Sequence, residues 1–303
     1  MYLSALTIGY AVPPRSFEAA VHSVFQSAAN LRLEKSGKLL TLVVSSEADL
    51  PQGIRLDTPT EFSFTGFQVG ESATCQNGIM RIESLSLTVD LTQARIWKCD
   101  LPALKTDITE PAVKSAWQTV WQALNQSQRN ARADIVAENV GRVGNPTHTK
   151  PHSGIPQKVT ESVQALLQAT QKFDLTGAFA LRELIGLGSG LTPSGDDLLV
   201  GYLAGLWCVM DEKSKHQEFV SGLGRKIVRL SRRTNDISRT YLYHAARGQV
   251  SSRLAALAGA ISRGESGEPL LAIAEDAMRV GHTSGMDAVT GLLLGMGAWM
   301  LVD

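Results

Sequence analysis

Polar and apolar residues alternate at period two through residues 39–45, 61–67 and 84–91, where the alternating positions are filled by leucine, valine and phenylalanine. That pattern predicts half-buried strands, and Pro51-Gln-Gly53 and Asn77-Gly78 supply turns between them. One segment of this first third reads differently. Across residues 17–33 the apolar side chains Ala20, Val21, Val24, Phe25 and Ala28 recur at helical spacing, which predicts one helix inside a small β-rich domain. From about Pro111 the period changes to that of amphipathic helices, expected at residues 112–125, 157–173, 177–185, 196–209, 215–231, 237–246, 252–263, 269–280 and 285–301. The expected fold class is therefore α+β: a β-rich N-terminal domain over residues 1–108, followed by an all-α domain over 109–303. Between the first two helices, residues 143–156 are rich in Pro and Gly and read as a loop or linker. His148 and His152 in that loop have i, i+4 spacing, but Pro146 and Pro151 oppose the helix that would align them as metal ligands.

Composition narrows the function classes. With 29 Lys+Arg against 29 Asp+Glu in 303 residues the formal charge is zero, so the basic footprint of a nucleic-acid binder is missing. The three cysteines, Cys75, Cys99 and Cys208, are too far apart in sequence for a CxxC pair, and a reducing compartment fits best. The N-terminal segment lacks the basic region and cleavage site of a secretory signal. The apolar stretch over 288–302 is shorter than the roughly 18–20 residues a bilayer requires. A cytoplasmic protein with no membrane or nucleic-acid partner is expected.

The most informative feature is an internal repeat. Ser194-Gly-Asp-Asp197-Leu-Leu-Val-Gly201-Tyr-Leu-Ala-Gly205 aligns with Ser284-Gly-Met-Asp287-Ala-Val-Thr-Gly291-Leu-Leu-Leu-Gly295, and both read SGxDxxxGxxxG. In each copy Ser suits the N-cap, Gly195 or Gly285 the first helical position, and Asp the third, where it complements the positive helix end. Glycines four apart lie on one face and permit close approach of another helix. If the two glycine faces pack in parallel, both SGxD starts meet at one end. Each start also follows a glycine-rich lead, Gly186-Leu-Gly188-Ser189-Gly190-Leu-Thr192-Pro and Gly281-His282-Thr, whose amide groups can form an anion nest.

No P-loop, dinucleotide fingerprint or hydrolase elbow fits this motif. Asp196 and Asp197 oppose a bare phosphate, which leaves three resolutions: a divalent cation such as Mg²⁺, a nearby arginine, or a ligand that presents N–H donors to the carboxylates. A small anion carrying an amide or ureido nitrogen satisfies both halves. The segment from Arg229 to Thr240 supplies arginines for an anion, with Asn235 and Ser238 as further polar contacts or as helix caps. His282 is the candidate general acid or base.

With GLGSGLTPSGDD at 186–197, GHTSGMD at 281–287 and Thr234-Asn-Asp-Ile-Ser238 between them, the chain resembles the bacterial family of the AllH-type subunit of oxamate carbamoyltransferase. Val21-His-Ser-Val-Phe25, Ala29-Asn-Leu31 and Leu39-Leu-Thr-Leu42 extend the resemblance to the N-terminal third. The resemblance implies a place in allantoin catabolism and purine degradation. The implied reaction is phosphorolysis of oxalurate to oxamate and carbamoyl phosphate, performed together with other enzyme subunits. Carried to this sequence, the matching positions are Gly188, Gly190, Thr192, Ser194, Gly195, Asp196 and Asp197, then His282, Ser284, Gly285 and Asp287, with His22, Ser23 and Asn30 in the N-terminal domain. Asp197, Asp287 and His282 are the expected chemical groups, and Ser189 lies among the expected ligand-facing residues. Two other classes stay open: a non-catalytic subunit whose glycine loops complete an interface, and a Mg²⁺-dependent hydrolase that uses the three aspartates.

Overall fold

The structure is a computed structural model that describes residues 1–13, 15–131, 155–188, 190–211 and 214–300. The chain divides into two compact units, Met1–Cys99 and Asp100–Asp303, one β-rich and one helical, so the α+β class stands. Residues 100–108 belong to the second unit, where the Thr106 N–H donates to the Cys208 carbonyl at 2.9 Å and Thr106 Oγ1 lies 2.6 Å from Ser262 Oγ.

The first unit is a closed barrel. Its strands are β1 (Tyr2–Gly9), β2 (Phe17–Val24), β3 (Ala28–Leu33), β4 (Leu39–Val43), β5 (Gly53–Leu56), β6 (Ser72–Gln76), β7 (Ile79–Ile82), β8 (Leu87–Asp90) and β9 (Arg95–Trp97). They run in the order β5-β4-β3-β2-β6-β7-β8-β1, and β1 pairs antiparallel with β5 to close the ring, while β9 adds parallel to β1. Closure removes the exposed sheet edges, and inward residues such as Leu31, Leu42, Ile54, Met80 and Val89 fill the interior.

The helix expected at residues 17–33 is instead the β2–β3 hairpin. The register slips between Val21 and Ser23, so an extra residue separates the inward side chains Phe17, Ala19 and Val21 from Val24, which packs partly on the core. A bulge of this kind turns a period-two pattern into one with a three-residue step, and that step imitates a helix. Residues 61–67 are not a strand either: a single 3₁₀ turn, Phe64–Gly66, brings Phe62, Phe64 and Phe67 edge to face at 5.1 Å. Aromatic packing, not strand pairing, accounts for their spacing. The Asn77-Gly78 turn between β6 and β7 is formed as expected, with both residues at positive φ.

The helical unit contains α1 (Pro111–Ala131), α2 (Ile155–Gln171), α3 (Leu181–Leu184), α4 (Ser194–Val209), α5 (Ser214–Leu230), α6 (Asp236–Ala245), α7 (Ser252–Ser262), α8 (Gly267–Met278) and α9 (Ser284–Gly297). Helices α4 and α9 are apolar all round and buried along nearly their whole length, which makes them the centre of the unit. Their neighbours hold them by hydrogen bonds to buried groups. Trp117 Nε1 on α1 donates to the Leu293 carbonyl at 2.9 Å, Gln128 Nε2 donates to Thr290 Oγ1 at 2.9 Å, and Tyr202 Oη lies 2.6 Å from Thr170 Oγ1 on α2.

The repeated glycines are the contact between these two helices. A Cβ on Gly201 would stand 1.8 Å from the Ala288 carbonyl oxygen, and one on Gly291 would stand 2.0 Å from that of Leu198. Gly205 meets Leu292 O at 2.3 Å and Gly295 meets Tyr202 O at 2.3 Å. Residue numbers rise together along both helices, so α4 and α9 run parallel. The contacts also exchange under the repeat offset of 90, which carries 201 to 291 and 198 to 288. Two parallel helices thus pack about a local pseudo-two-fold axis that runs along them.

No helix among the described residues is long and apolar enough to cross a membrane.

Candidate functional site at the paired helix starts

Parallel packing brings the two SGxD starts to the same end. Thr192 Oγ1, before α4, lies 2.8 Å from Ser284 Oγ at the start of α9. The capping differs in detail from the expectation. Ser194 and Ser284 are the first helical residues, preceded by Pro193 and Thr283, and neither helix start has a side-chain cap. Carbonyls of the preceding loops take the role instead: Leu187 O accepts from Gly195 N and Val280 O from Gly285 N, in the first turns of the two helices. Ser284 is thereby released to reach across to the other helix.

Asp197 and Asp287 occupy equivalent positions in the first turns of α4 and α9, and both are buried. Burial pushes the Asp197 carboxyl up to about 8; hydrogen bonds from Ser284 and Thr192 pull it down, while the charges of Asp287 and Asp196 push it further up. Its Oδ2 is buried without a hydrogen-bond partner, at a side chain more than nine-tenths hidden from solvent. An orphaned carboxylate oxygen at the positive ends of two helices is costly to keep in a purely structural role.

Asp196 does something else. Its Oδ1 accepts from Gly186 N at 2.9 Å and its Oδ2 from Thr234 Oγ1, and burial raises its carboxyl against those hydrogen bonds. Asp196 therefore ties the glycine-rich lead to the segment before α6. Asn235 completes that tie: its Oδ1 caps α6 by accepting from Ile237 N and Ser238 N, each at 3.0 Å, and its Nδ2 donates to Leu191 O at 2.8 Å. Thr234 opens the segment 234–238 that carries part of the resemblance, but only Asn235 and Ser238 of that segment were taken as candidate contacts. Ser238 is buried on α6, and its Oγ has no hydrogen-bond partner among the described residues. Replacing Asn235 by Ala should cost about 1–2 kcal/mol in chemical denaturation, since both the cap and the strap to Leu191 are lost.

The glycines divide into two kinds. Gly188 and Gly190 have φ of 117° and 141°, a backbone that side chains rarely adopt, and a Cβ on Gly188 would stand 2.8 Å from Ser194 N. Gly195 and Gly285 instead allow each helix start to lie on preceding backbone, at Leu184 O and Ala277 O. Their N–H groups donate to Leu187 O and Val280 O, both at 2.9 Å. With the amides of residues 195, 196, 197, 285 and 287 all engaged by loop carbonyls, the anion nest expected from the glycine count is smaller than it looked. The helix dipoles remain, and so does the carboxylate pair.

The structure brings Thr192, Ser194, Asp197, Ser284 and Asp287 to one end of the α4–α9 pair, with Gly188 and Gly190 in the lead to α4. His282 is exposed in the lead to α9. Among the described residues no group of three or more His, Cys, Asp or Glu side chains is placed to hold a metal ion, and Asp196 is turned to Gly186 and Thr234. The three-aspartate Mg²⁺ arrangement is therefore not formed. Ser189, His148 and His152 lie outside the described residues.

His22, Ser23 and Asn30 sit on strands of the barrel, not on a helix, and they do come together. Ser23 Oγ is 3.1 Å from His22 Nδ1 and accepts from Asn30 Nδ2 at 3.0 Å.

Comparison with known families covers both units. A family model described as oxamate carbamoyltransferase subunit AllH matches residues 184–296, which include both SGxD starts, and a model of the AllH family N-terminal domain matches residues 4–96. No solved structure matches the chain. Two models of one family, matched in order and together covering more than half the sequence, show that the chain belongs to the AllH family.

Proposed function

We propose that this chain is a subunit of an oxamate carbamoyltransferase-type enzyme and that the paired helix starts bind its small carbamoyl or carboxylate ligand. The observation that supports this most is the meeting of Asp197 and Asp287 at the positive ends of two parallel helices, with Asp197 Oδ2 buried and unpartnered. A ureido acid such as oxalurate fits both features. Its N–H groups face the carboxyl pair, and its anionic end lies in the field of the helix starts.

In the reaction, a phosphate oxygen attacks the carbamoyl carbon, the C–N bond to the oxamate nitrogen breaks, and that nitrogen takes up a proton. Carbamoyl phosphate and oxamate result. Held near 8 by burial, the Asp197 carboxyl keeps its proton at neutral pH and can deliver it to the leaving nitrogen, while Asp287 orients the second N–H. Thr192 and Ser284, which bond to each other and to Asp197, fix the direction of that proton. His282, exposed in the lead to α9, is the candidate general acid or base for the step. Other enzyme subunits complete the assembly, as the subunit description of the matching family suggests.

The experiment is formation of carbamoyl phosphate from oxalurate and phosphate, by the purified chain alone and with its co-expressed partner subunits. Turnover by the chain alone supports the whole reading and places the centre within it, whereas turnover only with the partner subunits supports membership of the enzyme and leaves the chain's role catalytic or scaffolding. Absence of product in both, with every subunit folded and assembled, would reject it.

A further inference from the structure

The barrel carries a polar cluster of its own. The bulge between Val21 and Ser23 turns two consecutive side chains, His22 and Ser23, away from the barrel core. Ser23 pairs in register with Asn30 on β3, and Asn30 with Thr41 on β4. Thr41 Oγ1 donates to Asn30 Oδ1 at 2.8 Å, which turns the amide so that its Nδ2 donates to Ser23 Oγ at 3.0 Å. Asn30 and Thr41 are each 4% exposed, whereas His22 and Ser23 are only half-buried. A buried support thus holds an accessible hydroxyl–imidazole pair, separated by 3.1 Å.

A serine oxygen has one proton and two lone pairs. With one lone pair taken by Asn30 and the imidazole carrying its proton on Nε2, the Ser23 proton lies toward His22 Nδ1 and the second lone pair is left for an electrophile. A hydroxyl with a base in hydrogen-bond reach is the core of covalent catalysis by serine, and here the third group, Asn30, orients the nucleophile and not the base. An apolar pair at Asn30 and Thr41 would pack the same strands at lower desolvation cost, and the polar pair adds a fixed direction to the bond that reaches Ser23.

We propose that Ser23 is a nucleophile activated by His22 and takes an acyl group from an activated carbonyl donor of the ester or mixed-anhydride class. In the step, the Ser23 Oγ–carbonyl carbon bond forms, the bond from that carbon to its leaving oxygen breaks, and the serine proton passes to His22 Nδ1. The proposal rests on the barrel alone and is independent of the carbamoyltransferase reading.

The test uses the full chain with 4-nitrophenyl acetate as the probe. Release of 4-nitrophenolate is followed together with peptide mapping of the acetylated protein. The expected result is a burst of one nitrophenolate per chain with acetyl on Ser23, lost in Ser23→Ala and slowed about a hundredfold in His22→Gln. Thermal melting of each variant verifies that the barrel is intact. No acetyl on Ser23 in the folded wild-type chain, or an acetylation rate unchanged in His22→Gln, would overturn the proposal and leave the cluster as a strand-pairing device.

Discussion

Replacing Gly201 by alanine is expected to destabilise the helical unit by about 3 kcal/mol or more, and the same change at Gly291 should do as much. At Gly201 the new methyl would fall 1.8 Å from the Ala288 carbonyl oxygen, and at Gly291 it would fall 2.0 Å from that of Leu198. Backbone stands on both sides of these contacts, so no side-chain rotation relieves them. Either the helices separate, which opens voids along two fully buried surfaces, or the unit fails to fold. Gly190→Ala is the control. It has φ of 141° but no atom nearer than Thr192 O at 3.7 Å, so its cost is backbone strain alone, about 1–2 kcal/mol. Urea denaturation of the three variants ranks them, and equal losses at all three positions would show that the glycine face is not the contact.

The helical unit was largely legible because its elements are long and strongly periodic: α1, α2 and α4 to α9 each overlap an expected helix to within a few residues. The barrel was less so. At β2–β3 the bulge after Val21 spoils the alternation that marks a strand, and around Phe62, Phe64 and Phe67 a 3₁₀ turn produces an alternation that no strand underlies. Local pattern carries neither exception, because each is set by pairing and packing with distant residues. In the site, the SGxD repeat identified the two helix starts, and the glycine spacing implied their close approach. Their parallel direction depends on how α4 and α9 are threaded through the unit, which the repeat alone does not state. The repeat singled out Asp197 with Asp287 as the chemical pair and left Asp196 among the ligand-facing residues, and sequence could not show that Asp196 is instead turned to the segment before α6. The division arises because one carboxylate turns toward Thr234 and Gly186 and its neighbour toward Ser284 and Thr192.

The second large effect is expected at Asp197. Its carboxyl stands at about 8 in the folded chain against 3.8 for a free aspartate. Between those values the folded protein binds a proton that the unfolded chain has lost, so unfolding releases it and stability falls as pH rises. The stability tied to this group is present in full below about pH 3.8 and is lost progressively toward pH 8, at up to about 1.4 kcal/mol per pH unit. Burial also raises Asp196, which adds a contribution of the same sign. Asp197→Asn keeps the shape and removes the titration. The variant should be more stable than the wild type above pH 8, and its denaturation midpoint should change less with pH between 5 and 8. A wild-type pH slope retained in Asp197→Asn would place the titration elsewhere.

Stability and turnover of Asp197→Asn, measured side by side in the assembled enzyme at pH 8, test the site most directly. A packing role predicts that relieving a buried carboxylate leaves activity unchanged or improves it together with stability. A ligand-binding and proton-donating role predicts opposite signs: a higher denaturation midpoint with carbamoyl phosphate formation reduced by a factor of about a hundred or more. A variant that gains stability and keeps wild-type turnover would contradict the assignment of the paired helix starts as the ligand site.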